Sequence, residues 1–143
     1  MIHVAVIHRR YIELILAGKK TAELRLTKTR GAPHGRISPG ERLYFKQASG
    51  GVRATAVVTR IETCDALTPE RIERLERSTA ETVLAGCEFF AARRHANYAS
   101  VIHFERVEAC RSGPDFAAER AANPRSAWLI LPDDADVYPG CVA

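Results

Sequence analysis

The stretch Gly18-Lys19-Lys20-Thr21-Ala22-Glu23-Leu24-Arg25 joins the end of a helix to the start of a strand. The residues before it form a mostly apolar run, and Gly18 suits the left-handed position that follows a helix. From Thr21 onward polar and apolar residues alternate, which is the period of a strand with one buried face. The stretch therefore predicts a helix over residues 9–17 and a half-buried strand over residues 21–27. The outer face of that strand carries a hydroxyl, a carboxylate and a guanidinium.

The rest of the chain predicts many short strands and few helices. Further strands are expected over residues 2–8, 41–47, 52–61, 98–107 and 127–131. Helices are expected to begin at Thr68, which is followed by proline and glutamate, and to include Phe89. Segments 28–36 and 111–125 lack periodicity and are predicted to be flexible loops, the first of them basic and suited to closing over a ligand.

Because there is no regular βαβ alternation, the pattern favours an α+β fold with a mixed β-barrel and two or three flanking helices. A length of 143 residues fits one domain over residues 1–143. Its core is expected over residues 2–132, and residues 133–143 are expected to be an acidic, solvated tail.

The motif residues resemble those of a known family. A helix ending in Gly-Lys-Lys-Thr, then Glu23 and Arg25, then a loop to Pro39-Gly40-Glu41-Arg42 and a strand is similar to the signature of the ASCH family. The resemblance covers residues 3–65 with specific motifs and continues more loosely to Pro132. It implies a PUA-like β-barrel related to RNA-binding modules. A phosphate-binding P-loop is rejected, because position 13 is glutamate where that motif needs glycine.

Composition places the chain among ordinary globular proteins. It has no apolar run of the ~20 residues that span a bilayer and no basic segment ahead of its first strand, so we expect a cytoplasmic protein without membrane contact. The four cysteines form no Cys-x-x-Cys pair and the five histidines no ligand cluster. The sequence therefore predicts no structural metal and no cofactor, while a divalent cation for RNA cleavage stays open.

The positive charge is concentrated in the first part of the chain. Residues 1–60 hold 12 lysines and arginines against three acidic residues, a net charge of +9. Residues 61–143 hold nine against 14, a net charge of −5. A concentrated positive field attracts phosphate-bearing partners, so the first part is expected to carry the contact face. A solvated basic surface without a partner is the alternative.

Lys20 is the first candidate for chemistry, because a lysine at a helix–strand junction can place its ammonium in a cleft. It could instead complete the helix C-terminus. Glu23 and Arg25 share one strand face and could form an ion pair on the cleft floor. Glu23 could also accept from a base edge or coordinate a cation, and both could be ordinary surface charges.

The neighbouring strand supplies further candidates. Tyr44 could stack on a base, which is worth ~1–3 kcal/mol, and Lys46 could meet a phosphate beside Gln47. We expect Lys46 and Lys20 to converge on one cleft. Tyr98 could extend the stacking surface, and Ser126 is a candidate donor. Sequence-independent phosphate contacts are expected from basic side chains of the first helix and the loop, namely Arg9, Arg10, Lys19, Lys28, Arg30 and Arg36.

The resemblance also implies possible catalysis. Some family members are amidohydrolases that act on acylated cytidine through a lysine, a threonine and a glutamate, and ribonuclease activity is reported in the family. Lys20 matches that lysine, but the nucleophilic threonine falls at the position of Glu23. Thr21 could replace it only with a different geometry. The catalytic candidates are therefore Lys20, Thr21, Glu23 and Tyr44.

Three functions remain open at this point. The sequence favours a module that binds RNA or a modified nucleotide in a basic cleft. The alternatives are a small hydrolase, acting on RNA or on an acylated nucleoside, and a regulatory domain with a protein partner. The sequence does not distinguish a monomer from a dimer.

Overall fold

The computed structural model describes residues 1–135 and 141–142. Within these residues, seven strands form one sheet: β1 (Ile2–Ile7), β2 (Ala22–Thr27), β3 (Arg42–Gln47), β4 (Val52–Cys64), β5 (Tyr98–Cys110), β6 (Trp128–Leu131) and β7 (Cys141–Val142). The helices in these residues are α1 (Arg9–Leu16), α2 (Pro69–Ser78), α3 (Cys87–Ala92) and α4 (Ala117–Ala122). The predicted α+β class is confirmed, with four helices rather than two or three.

The sheet is mixed and follows the order β2-β5-β4-β3-β1-β6, with β7 paired to β5 beside this path. All its neighbouring pairs are antiparallel except β1 and β3, which run parallel. The main core lies between α1 and the sheet and includes Ile12, Ile15, Phe45 and Phe104. The two ends of the path, β2 and β6, approach one another, so the sheet is curled rather than flat.

Local signals in the sequence set the ends of two helices as predicted. Gly18 has φ +76°, a left-handed conformation that glycine adopts without a steric penalty, directly after α1. The Thr68 side chain accepts a hydrogen bond of 3.3 Å from the Arg71 backbone N–H, and Pro69 takes the first position of α2. The turn between α1 and β2 therefore has the geometry that its residues favour.

Strand β2 is buried on both faces, which the alternating pattern did not predict. Ala22, Leu24 and Leu26 pack in a second core cluster with residues of α2 and α3. Glu23 points to the other face, yet it is only 8% exposed. The prediction of a half-buried strand is therefore wrong, because the polar face turns toward β1 and β6, and the side chains of Lys20 and Arg25 pack against Glu23.

Two segments predicted to be irregular contain regular structure. The 111–125 segment includes α4, whose alanines favour a helix. In the predicted tail, Cys141–Val142 pairs with Ala109 and Cys110 of β5, so this part of the tail returns to the sheet. Asp133 and Asp134 are exposed, as expected. Residues 136–140 and 143 lie outside the described residues.

The basic loop at residues 28–36 is anchored, so its prediction as a free lid is wrong. His34 is 6% exposed, and its ring nitrogens lie 3.1 Å from Ser100 Oγ and 2.6 Å from Asp65 Oδ1. The Tyr98 ring packs against His34 with a centroid distance of 5.3 Å. Because Ser100 is 1% exposed, this Ser–His–Asp arrangement keeps its hydroxyl away from any substrate and serves to hold the loop.

Candidate functional site

A cavity of about 520 Å³ opens where β2 approaches β1 and the residue before β6. Its size is within the 300–1,000 Å³ range of small-ligand pockets. Four basic side chains and two carboxylates line it: Arg10, Lys20, Arg25, Arg93, Glu23 and Glu88. Aromatic and apolar side chains complete the walls: Tyr11, Phe89, Val6, Leu24 and Val83. The cavity therefore combines net positive charge with apolar walls.

Lys20, Glu23 and Arg25 form a buried charge triad at the floor of the cavity. Lys20 Nζ lies 3.3 Å from Glu23 Oε1, and the Arg25 guanidinium donates to Glu23 Oε2 at 3.0 Å. Lys20 also donates to the Val83 carbonyl at 2.6 Å, and the Leu24 N–H donates to Glu23 Oε1 at 3.1 Å. Three donors thus hold the Glu23 carboxylate in place, and the strand alternation puts Glu23 and Arg25 on one face.

Burial and the neighbouring charges determine the ionisation of the triad. Burial lowers the pKa of Lys20, and the attraction of Glu23 offsets part of that effect. Burial alone would raise the pKa of Glu23, but Arg25 and Lys20 outweigh it, so the pKa of this carboxyl lies below its usual range. The floor therefore holds a carboxylate anion between two basic groups at neutral pH.

Arg25 joins the two ends of the curled sheet. It belongs to β2, yet its guanidinium makes long hydrogen bonds of 3.4 Å to the Val6 carbonyl of β1 and 3.5 Å to the Ala127 carbonyl. Its guanidinium carbon also lies 5.1 Å from the centre of the Trp128 ring in β6. The Arg25 side chain thus closes the gap in the barrel and forms part of the cavity floor.

Two helices supply the rim, each with an aromatic ring and an arginine. On α1, the Arg10 guanidinium donates to the Tyr11 hydroxyl at 2.9 Å and lies 4.8 Å from the ring centre. On the α3 side, the guanidinium carbon of Arg93 lies 3.9 Å from the centre of the Phe89 ring. Arg10 and Arg93 are exposed, unlike the floor residues. Burial and then the positive charge of Arg25 lower the pKa of Arg93, because both arginines face the same cavity.

The structure brings together only part of the predicted site. Arg10, Lys20, Glu23 and Arg25 line the cavity. The other predicted residues are not among its lining residues: Arg9, Lys19, Thr21, Lys28, Arg30, Arg36, Tyr44, Lys46, Gln47, Tyr98 and Ser126. Arg9, Lys19, Lys28, Arg30 and Arg36 are exposed basic residues, and contact with a longer strand remains a prediction for them.

The two predicted tyrosines lie outside the cavity, and the prediction for Tyr44 is wrong. Tyr44 is 2% exposed and packs in a third core cluster with Val4 and Leu129, so it presents no face to a base. Tyr98 packs against His34 of the anchored loop rather than extending a stacking surface. Each residue lies on the predicted strand, but other segments cover the face of Tyr44 that the pattern treated as solvent-facing.

Lys46, Gln47 and Ser126 are occupied by local contacts. Lys46 Nζ donates to the Gln47 carbonyl at 3.2 Å, and the Gln47 side chain accepts from Arg53 at 3.1 Å. Ser126 Oγ donates to the Trp128 carbonyl at 2.6 Å. The predicted convergence of Lys20 and Lys46 on one cleft is not found, because Lys20 lines the cavity and Lys46 does not.

Thr21 does not lie where a nucleophile is needed. Its side chain is exposed and outside the cavity lining, while its backbone N–H donates to the Thr82 carbonyl at 2.9 Å. Lys20, the preceding residue, points into the cavity. The two side chains therefore diverge, as expected for neighbours in extended backbone.

Sequence reasoning missed the α3 side of the cavity. Phe89 and Arg93 are four residues apart, a spacing that places two side chains on the same helix face. This spacing could have identified the pair. Nothing local to the pair indicates that α3 packs beside β2.

In the part of the chain that the structure describes, no group of three or more His, Cys, Asp and Glu side chains is placed to hold a metal ion. None of the helices found there is long and apolar enough to cross a membrane.

Solved structures with the same architecture identify the fold. The crystal structure of an ASCH protein from Zymomonas mobilis superposes with a TM-score of 0.66 at 14% identity, covering 92% of this chain and 88% of that one. A tyrosine-to-phenylalanine mutant of the same protein gives 0.66 at 16% identity, covering 92% and 90%. The chain has the ASCH fold. The predicted PUA-like architecture is therefore confirmed.

A second protein shares part of this ASCH fold. The hypothetical protein PH0355 superposes with a TM-score of 0.53 at 26% identity, covering 71% of this chain and 95% of that one. No protein-family model and no curated protein matches the sequence.

Proposed function

We propose that this protein binds RNA or a free nucleotide in the cavity beside β2. The observation that carries the proposal is the combination of basic and aromatic side chains around a cavity of about 520 Å³, above the Lys20–Glu23–Arg25 triad. Basic groups attract phosphate, and aromatic rings or guanidinium planes provide surfaces for a base. The resemblance of the ASCH fold to RNA-binding modules agrees with this proposal.

The charges favour a ligand that enters base first. Glu23 sits between Lys20 and Arg25, so a phosphate at the floor would meet a carboxylate next to each cation. At the rim, the exposed Arg10 and Arg93 outnumber Glu88 and can hold a phosphate while it stays hydrated. The phosphate therefore belongs at the rim and the base belongs inside.

Hydrogen-bonding groups at the floor suit the edge of a base. Glu23 Oε2 accepts one hydrogen bond, from Arg25, and a carboxylate oxygen can accept a second. The Lys20 ammonium has three N–H groups, of which the Val83 carbonyl and Glu23 use two. A hydrogen-bond acceptor on Glu23 and a donor on Lys20 thus lie side by side. The edge of a base that presents an exocyclic amine or ring N–H next to a ring acceptor can bond to both.

Trp128 provides the readout for a binding test. It is the only tryptophan in the chain, and its ring lies under Arg25, which lines the cavity. We expect its fluorescence to change when mononucleotides or nucleosides are titrated in. Ribose 5-phosphate and inorganic phosphate should bind at least about tenfold more weakly than the nucleotide. If ribose 5-phosphate binds as well as the nucleotide, the base-first orientation is wrong.

Longer ligands test the electrostatic part of the proposal. Binding of a short single-stranded RNA should weaken steadily as salt rises, because counterions are released when phosphates are neutralised. An affinity that stays constant from low to moderate salt would contradict phosphate contacts. If neither nucleotides nor RNA bind at any salt concentration, the proposed function as a whole fails.

Hydrolysis is the second candidate function. The observation that favours it is a buried lysine of lowered pKa beside a carboxylate in the same cavity, a pair suited to acid–base catalysis. The test is incubation with labelled RNA and with acylated nucleosides, with and without a divalent cation. Turnover that disappears in Lys20→Met supports an enzyme, whereas ligand binding without turnover supports a binding module.

We also propose that the protein works in the cytoplasm, where Cys64, Cys87 and Cys110 remain reduced thiols, as they are in the structure. The proposal applies equally to a monomer and to a dimer, since a single chain supplies every residue that lines the cavity.

A further inference from the structure

The ring of Trp128 is held from the side away from the cavity. Its indole N–H donates to His3 Nδ1 at 3.0 Å, and the two rings are tilted with centroids 5.8 Å apart. His3 is completely buried. Its other nitrogen, Nε2, lies 3.1 Å from Glu41 Oε1. Trp128 is therefore tied to β1 by a directed hydrogen bond as well as by packing.

These contacts determine the tautomer of His3. Nδ1 accepts from Trp128, so in the neutral ring the proton must be on Nε2, where it donates to Glu41. Burial lowers the pKa of His3, which keeps the ring neutral and Nδ1 free to accept. Each residue in the hydrogen-bonded series from Glu41 through His3 to Trp128 thus fixes the orientation of the next.

The same series of contacts continues from Trp128 to Arg25 and Glu23 in the cavity. Arg25 lies over the Trp128 ring, and its short ion pair is with Glu23 at 3.0 Å. Its hydrogen bonds to the Val6 and Ala127 carbonyls are long, at 3.4 and 3.5 Å. Bonds of that length restrict a guanidinium weakly. The flat indole surface is therefore the main support that keeps Arg25 pressed against Glu23.

We propose that His3 is a positioning residue for the cavity, acting through the Trp128 ring to hold Arg25 against Glu23. As far as ligand affinity is concerned, the inference rests on the proposed function. The effect on Arg25 and Glu23 exists without any ligand, so it can be measured separately.

The first experiment needs no ligand. The carboxyl carbon of Glu23 is followed by NMR as a function of pH in the native protein, Trp128→Phe and His3→Gln. Trp128→Phe keeps an aromatic ring and removes the indole N–H. The positive charge of Arg25 beside Glu23 lowers the pKa of this carboxyl, so both substitutions should raise the pKa of Glu23. In a protein that already carries Arg25→Ala, adding Trp128→Phe should not change the pKa of Glu23 further.

The matched control is Thr55→Val. Thr55 is 1% exposed, and its hydroxyl donates to the Leu43 carbonyl at 3.0 Å, so the substitution also removes a buried hydrogen bond. It does not touch Trp128 or Arg25, and it should leave the pKa of Glu23 unchanged. If Thr55→Val raises that pKa as much as Trp128→Phe does, general loosening explains the effect and the inference is wrong. If His3→Gln fails to fold, the comparison between Trp128→Phe and Thr55→Val still decides.

The second experiment uses a mononucleotide that binds the native protein. Trp128→Phe should weaken its binding roughly three- to tenfold, because a phenyl ring without the indole N–H supports Arg25 less well, while Thr55→Val should not. Because Trp128→Phe lacks the fluorescent reporter, calorimetry measures this affinity. If no nucleotide binds but the pKa of Glu23 rises in Trp128→Phe, the proposed function fails and the positioning role stands. An unchanged pKa of Glu23 in Trp128→Phe overturns the inference.

Discussion

Lys20 Nζ lies 3.3 Å from Glu23 Oε1 at a position where Lys20 is 2% exposed and Glu23 is 8% exposed. Surface ion pairs contribute little to stability, but a buried one becomes costly when a single partner is removed. The pair therefore has to remain complete for the fold, and its position in the cavity also makes it available to a ligand.

Glu23→Gln should lower the free energy of unfolding by about 3 kcal/mol, since it leaves Lys20 and Arg25 without their common anion. Urea denaturation measures the change. The matched control is Glu13→Gln on the exposed face of α1, where the ion pair with Arg9 at 2.9 Å is in solvent. That variant should unfold like the native protein. Equal losses in both variants would contradict a special role for burial.

Stability should fall as pH decreases below about 6.5, the ordinary pKa of histidine. Burial lowers the pKa of His3 in the folded state, so the unfolded chain binds a proton that the folded chain does not. The contribution is complete above pH 6.5 and is lost progressively below it. His3→Gln should flatten this dependence in denaturation curves recorded between pH 5.5 and 7.5, whereas His95→Gln, at an exposed position, should not.

Removing Arg93 should reduce the salt dependence of RNA binding. Arg93→Ala deletes one phosphate contact at the rim, so the slope of log affinity against log salt should decrease by about one. Arg94→Ala is the control, because Arg94 is an equally exposed neighbour that does not line the cavity. If the two variants give identical slopes, Arg93 does not contact phosphate.

Thr21→Ala should leave nucleotide affinity, and any turnover, unchanged, because this exposed side chain lies outside the cavity. Lys20→Met, one residue earlier, should weaken both, since it removes a donor at the floor. Fluorescence titration and the turnover assay measure the two variants side by side. A loss of turnover in Thr21→Ala would restore this threonine as a nucleophile.

The local features of the chain were predictable because neighbouring residues determine them. Gly18 ends α1, Thr68 caps α2, and the period of two from Thr21 predicted β2, since these depend on backbone conformation and side-chain direction over a few residues. The α+β class followed from the order of such elements. Lys20, Glu23 and Arg25 were found in the same way, because all three lie within six positions.

The partners of that triad could not be predicted in this way. Arg93 follows Arg25 by 68 positions and Trp128 follows it by 103, and neither distance leaves a signal in the sequence. Lys46 lies on a strand with a suitable pattern, yet its ammonium donates to the Gln47 carbonyl and does not line the cavity. Tyr44 failed as a candidate because other parts of the fold cover its side chain.

The sequence by itself determined most of the strands and helices, and that a lysine, a glutamate and an arginine stand together at the start of β2. Only the tertiary structure decided that the two ends of the sheet meet at Arg25 and that α3 completes the cavity. The physical reason is that backbone preferences act over a few residues, whereas the curl of a sheet results from packing across the whole core.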